Sequence, residues 1–160
     1  MLISWLILFS SITNGGAAPA AAAPVTAVYP QPASQQLILD GIELGAKGAE
    51  VKEAWGNPSK IVSDEWSSDC EIWSYKGGKN VGMCDDNVSY VQVMADAKKA
   101  NLNGTDIAMV NKDLRQALGK PEFKAEDGWG IVRGSDAIKV FVDEKGKLVS
   151  VDLFPEPCPL

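Results

Sequence analysis

Chemistry in this chain has to come from cysteines, carboxylates, amides and aromatic rings, because its 160 residues include no histidine. Without an imidazole, Ser-His-Asp and Cys-His nucleophile systems, His-built zinc sites and HExxH helices are all excluded. Glu65, Asp69 and Glu71 are close enough in sequence to suggest an acid/base pair. With no nucleophile or metal motif beside them, they read as a solvated face. Asp85-Asp86-Asn87 and Asp143-Glu144 are oxygen-rich, but neither has the spacing of a calcium loop, so turn chemistry is the better reading. Lys76-Gly77-Gly78-Lys79 is a hairpin turn rather than a phosphate loop, since no Gly-Lys-Ser/Thr helix start follows. Asn87-Val88-Ser89 and Asn103-Gly104-Thr105 fit the glycosylation pattern and also fall at turns. No catalytic residue, cofactor or metal ligand is therefore assigned. What remains is binding chemistry. Trp66, Trp129, Tyr75 and Tyr90 are the candidate partner-binding residues, Trp being enriched at interface hot spots, with core packing as the competing reading for each. A net charge of −6 argues against a nucleic-acid surface, which needs clustered Lys and Arg.

The elements that would position these residues begin late in the chain. All 36 charged side chains lie after Leu39. Leu2–Ile12 is an apolar run of signal-peptide length, far short of the roughly 20 residues of a membrane span, and A-x-A cleavage patterns follow at 18–20 and 20–22. Residues 1–22 are expected to be a signal peptide, a buried N-terminal strand or helix being the alternative. The Ala/Pro/Gln-rich stretch 23–36 is expected to be an extended linker. Export to the extracellular space or cell envelope follows, with no membrane span in the mature chain.

Compared with itself, the remainder repeats at an offset of 63 residues. Leu39-Asp40-Gly41 lies over Leu102-Asn103-Gly104, Ala54-Trp55-Gly56-Asn57-Pro58 over Ala117-Leu118-Gly119-Lys120-Pro121, and Asp64 and Trp66 over Asp127 and Trp129. Over the 28 ungapped pairs from 39/102 to 66/129, seven are identical, where ordinary usage gives about two. The chain is accordingly read as two units, 37–99 and 100–160, packed as one globule. In the second, Asn111 is the expected N-cap, Leu114, Ala117 and Leu118 share one helix face, and Gly119 and Pro121 end the helix. Trp55 and Leu118 are expected in the core.

Strand composition marks 71–75, 80–84 and 88–93, then 129–132, 137–142 and 148–154, all joined by short loops that demand antiparallel pairing. Each unit thus reads as αβββ, an α+β fold whose short helices pack on one face of antiparallel sheet. A three-residue turn centred on Gly77 makes facing residues sum to 154, which sets Cys70 opposite Cys84. Of the three possible pairings, a Cys70–Cys84 disulfide is favoured, leaving Cys158 over.

The run Gly41-Ile42-Glu43-Leu44-Gly45, the segment from Glu50-Val51 to Trp55-Gly56-Asn57-Pro58, and Asp86-Asn87-Val88 together resemble the SmpA/OmlA (BamE-like) unit. Tandem copies resemble the architecture of β-lactamase inhibitory protein, and the chain is similar to secreted Gram-positive proteins of the YjgB type. The resemblance implies helices on one face of a larger sheet, the other face open to a partner, and binding rather than catalysis. No lipid-anchoring Cys follows the apolar run, and the second unit lacks a disulfide of its own. The expected function is an exported, non-catalytic protein-interaction module, scaffold or inhibitor, whose partner is another secreted or envelope protein. The alternative is a carboxylate enzyme or small-molecule binder using the cleft between the units.

Overall fold

A computed structural model describes residues 36–156, apart from Trp66. The expected signal peptide, most of the linker, Trp66 and Cys158 lie outside the described residues. The fold is α+β, mostly antiparallel sheet with two short helices. It opens with two minimal hairpins. Strands β1 (Ile38–Leu39) and β2 (Ile42–Glu43) turn on Asp40-Gly41, and β7 (Lys99–Leu102) and β8 (Thr105–Ala108) turn on Asn103-Gly104. Both residues of each turn have positive φ, the two-residue hairpin geometry that Asx-Gly sequences favour. The hairpins join as a four-stranded sheet, β2-β1-β7-β8. Their turns latch reciprocally. The Asp40 carboxylate accepts Asn101 N–H (2.6 Å) while Asp40 N–H donates to Asn101 C=O (2.7 Å). Asn103 does the same to Ile38, at 2.8 and 2.9 Å. Asp and Asn at these positions thus tolerate the left-handed backbone and also fasten one hairpin to the other.

Each hairpin leads into a helix, α1 (Gly48–Trp55) or α2 (Asn111–Leu118). The expected cap on α2 is corrected. Val110 is the capping position, and Asn111 is the first helical residue, its side-chain oxygen accepting Trp129 Nε1–H at 3.2 Å. Gly56 and Gly119, both at positive φ, close the helices by donating to the Lys52 and Arg115 carbonyls. Gly48 is required for a different reason: a Cβ there would lie 2.6 Å from Asp86 Oδ1 and 2.9 Å from the Trp73 ring.

The remaining strands, β3 (Lys60–Ser63), β4 (Cys70–Tyr75), β5 (Lys79–Cys84), β6 (Asn87–Met94), β9 (Phe123–Ala125), β10 (Gly128–Arg133), β11 (Asp136–Val142) and β12 (Leu148–Pro155), form one eight-stranded antiparallel sheet. Its order is β3-β4-β5-β6-β12-β11-β10-β9, so the two expected three-strand meanders join through β6 and β12, and each gains an outer edge strand. Cys70 faces Cys84, Glu71 faces Met83 and Trp73 faces Val81, and the Cys70–Cys84 disulfide is formed. One face carries Trp73, Tyr75, Val81, Val91, Val93, Val151, Leu153, Ile138, Val140, Ile131 and Trp129. Both helices and the small sheet pack against it, burying Leu39, Ile42, Val51, Ile107, Leu114 and Leu118 in a single core. Each fully buried aliphatic side chain of this kind contributes roughly 1.5–3 kcal/mol. Among the described residues no helix is long and apolar enough to cross a membrane.

Candidate binding face

The packing decides which aromatic residues are available. Trp129 is 3% exposed and Tyr75 8%, so neither is a surface anchor, and their assignment as partner-binding residues is corrected to core. The cause is the strand parity that places them on the helix side. Arg115 of α2 lies over the Trp129 ring, with its guanidinium carbon 4.5 Å from the ring centroid, and Lys52 of α1 covers Trp73 at 4.8 Å. Tyr75 meets Trp55 edge-on with centroids 5.1 Å apart, while Trp55 Nε1–H donates to Asp40 C=O at 2.8 Å.

The expected correspondence of Trp129 with Trp66 is also corrected. Ile61 pairs with Trp73, and Lys124, 63 positions on from Ile61, pairs with Trp129. Trp129 therefore matches Trp73 in the sheet, because the stretch between β3 and β4 is longer than that between β9 and β10.

Tyr90 is the candidate that reaches the other face. The β5–β6 ladder slips by one residue at Gly82/Met83, so Gly82 rather than Val81 faces Tyr90. This bulge reverses the parity of β6 between Val88 and Val91 and turns Tyr90 away from the core. Its half-buried ring lies across Gly82, where an added Cβ would sit 2.2 Å from Cε1. Phe123 likewise lies across Gly130, with its Cζ 2.1 Å from a would-be Cβ. These glycines let aromatic rings lie flat on the sheet.

Between the rings runs a transverse row in register across all eight strands: Lys60, Ser74, Asn80, Gln92, Asp152, Lys139, Gly130 and Phe123. Its middle is hydrogen-bonded from side chain to side chain. Asn80 Nδ2 donates to Gln92 Oε1 and Gln92 Nε2 to Asp152 Oδ2, each at 2.9 Å. Lys139 Nζ sits 2.7 Å from Asp127 Oδ1 and 4.1 Å from the centre of the Phe141 ring. Asp152 Oδ1 is buried without a hydrogen-bond partner.

Burial pushes the Asp152 carboxyl up to about 6, against the opposing pull of Ser150, Gln92 and Lys139. Burial first, then the negative charges of Asp64 and Asp152, push the Tyr90 phenol up to about 12. The hydrogen bond from Lys139 holds Asp127 below the ordinary carboxylate range. Half-buried Ile72, Met94, Phe141 and Phe154 complete the face, and no described element packs over it. Sequence reasoning missed Asn80, Gln92, Lys139, Phe141 and Asp152. The signal was there in the polar, non-core positions of strands already recognised, but which of them align depends on the β6–β12 junction.

Elsewhere the polar residues serve the backbone. Asp143 Oδ1 accepts the Lys145 and Lys147 N–H groups within its turn, and Asn87 Nδ2 donates to Asp85 C=O. The seam between the two halves holds an open depression of about 520 Å³ lined by Gln36, Leu44, Val88, Arg133, Asp136 and Glu156. Two of its charged residues are engaged nearby, Arg133 with Glu122, and Asp136 accepting the Ser135 hydroxyl.

No protein-family model and no curated protein matches this sequence. Similarity appears among solved structures. An extracellular protein containing a SCP domain from Bacillus anthracis superposes over 71% of this chain with a TM-score of 0.52 and 13% identity. A cysteine-rich secretory protein from Staphylococcus aureus gives 0.44 over 71% at 10% identity. The chain spans only 44% of the length of each. A DUF4309 family protein, YjgB, from Bacillus subtilis gives 0.43 at 13% identity, covering 69% of this chain and 79% of that one. At these identities the Bacillus anthracis similarity speaks to the fold alone.

Proposed function

We propose that the chain is an exported, non-catalytic interaction module of the cell envelope or extracellular space, which engages another secreted or envelope protein through the free face of its eight-stranded sheet. The observation that carries this reading is the face itself: flat aromatic rings and a side-chain amide–carboxylate row across the three central strands β5, β6 and β12, with no described element above them. Aromatic groups with adaptable polar neighbours are what interface cores use. A disulfide on β4–β5 suits an oxidising compartment and supports the export reading. The repeat reading is supported by a sheet order that reads alike from either edge and by hairpin latches related by 63 positions. That arrangement agrees with the resemblance to tandem SmpA/OmlA-like units. The seam depression is open, and its Arg133 is already paired with Glu122, which gives the small-molecule alternative less support.

The test places a photo-crosslinking residue at Phe141 or Tyr90, with Lys112 on the helix side as control, and exposes the protein to secreted and cell-wall fractions. One protein captured from the free face only, and then bound by the purified chain but not by a Tyr90→Ala/Phe141→Ala variant, is the expected result. Crosslinks confined to Lys112, or hydrolase activity in the pure protein with no captured partner, would overturn it.

A further inference from the structure

The two edges of the large sheet occupy corresponding places, yet they are not treated alike. Outer strands need protection, because their unpaired N–H and C=O groups invite another strand. At β9 the outer pair is Lys124-Ala125, a charged residue and a small one. At the corresponding positions β3 carries Ile61 and Val62, exposed at 49% and 36%. Nothing in the pairing with β4 demands them, since the opposite edge is built with Lys124 and Ala125 at the same two places.

The hydrogen bonding of β3 is directional. Lys60 pairs with Ser74 and Val62 with Ile72, and in the same register Asp64 N–H donates to Cys70 C=O at 2.9 Å. Main-chain groups of 60, 62 and 64 therefore point at β4, and those of Ile61 and Ser63 point outward. The charges along this edge are self-complementary, with Lys60 at its start and Asp64 and Glu65 at its end.

We propose that β3 is a dimerisation edge, where a second copy of this chain adds its own β3 antiparallel about a twofold axis through Val62. Ile61 then exchanges both main-chain hydrogen bonds with Ser63 of the second copy, Val62 faces Val62, and Lys60 of each copy meets the acidic end of the other. Two other registers would also match outward groups, pairing Ile61 with Ile61 or Ser63 with Ser63. Only the one through Val62 sets Lys60 opposite Asp64. The interface is isologous and closes after two copies, and it joins the two large sheets edge to edge without covering the free face.

Sedimentation velocity of the purified full chain, from about 10 µM to about 1 mM, is the primary test, since an interface this small gives a weak dimer. The expected result is a concentration-dependent dimer that is lost in Ile61→Lys/Val62→Lys and weakened at least tenfold by Lys60→Glu. Val62→Cys is expected to form an intermolecular 62–62 disulfide by non-reducing mass mapping, facing non-hydrogen-bonded residues being about 4.5 Å apart at Cα. A monomer throughout the concentration range would overturn the proposal, even if the chain binds some other protein's strand. So would a dimer indifferent to the lysine pair, or one crosslinking as readily through Ile61→Cys or Ser63→Cys as through Val62→Cys.

Discussion

Asp152→Asn should make the protein more stable at neutral pH and remove most of the pH dependence of its stability between pH 5 and 7.5. The folded state raises this carboxyl from an ordinary 3.8 to about 6, so folding favours the neutral form. A carboxyl raised in the fold contributes stability while protonated in both states, and that contribution is lost as pH rises through about 6. A shift of about two units corresponds to about 3 kcal/mol at pH 7.5. Asparagine keeps an acceptor for Gln92 Nε2 and gives up the charge-dependent part of the contacts with Ser150, Gln92 and Lys139, the last of which already holds Asp127 at 2.7 Å. Asp106, Glu122 and Asp127 are depressed, so their contributions fade only at lower pH, outside this window. For about 120 ordered residues the expected difference is roughly 10–15 °C in Tm at pH 7.5, shrinking toward pH 5. Thermal unfolding of both proteins at pH 5, 6 and 7.5 reads it directly. Parallel curves for wild type and variant, or a wild type that gains on Asp152→Asn as pH rises, would refute the reasoning.

Replacing Cys70 and Cys84 together by Ser should cost about 3 kcal/mol, the loop-closure value for 14 residues of separation, read as a lower urea midpoint with unchanged spectra of the folded state. Gly48→Ala should destabilise by about 1–3 kcal/mol, because the new methyl meets the Trp73 ring and Asp86, whereas Ala49→Gly on the exposed side should cost under about 1 kcal/mol. Trp129→Ala should cost about 3–5 kcal/mol in chemical denaturation, as for any fully buried large aromatic. In an absorbance titration Tyr90→Phe should remove a phenol that ionises only near pH 12; loss of a step near pH 10 instead would show that the ring is not buried against Gly82.

The parts of this architecture legible in the sequence are those set by local rules. A three-residue turn fixes a sum of facing residues, so Cys70 and Cys84 could be paired by arithmetic, and Gly119 with Pro121 marks a helix end without help from the rest of the chain. Strands two residues long carry no periodicity, so β1 and β2 showed only as a turn at Asp40-Gly41. Register was lost where length changed. Trp66 and Trp129 align at a fixed offset, but the longer stretch before β4 moves the matching position to Trp73. Tyr75 and Tyr90 are both candidate binding residues by composition, and a single bulge at Gly82/Met83 parts them between core and free face. A one-residue slip inverts every side chain beyond it, and nothing in local composition announces the slip.

The two halves of the large sheet differ most where packing demands least. Core positions are answered in kind: Val51 and Leu114 are both buried, and Lys52 and Arg115 each cap a tryptophan. Latch positions match as well, Asp40 with Asn103. Departures gather at Ile61-Val62 against Lys124-Ala125 on the edges, and at a free face whose buried acid, Asp152, has no counterpart in kind at Gln92 across the junction. A position under only folding constraints tends toward the cheaper solution, which for an edge is charge and for a sheet centre is a neutral side chain. The lysine at 124 and the glutamine at 92 are those cheaper solutions, present in the same molecule. Exposed apolar residues at 61 and 62 and a largely buried carboxylate at 152 therefore mark two of the places where this chain departs from what its own fold requires. Those are the edge and the face to which contact with other molecules is assigned.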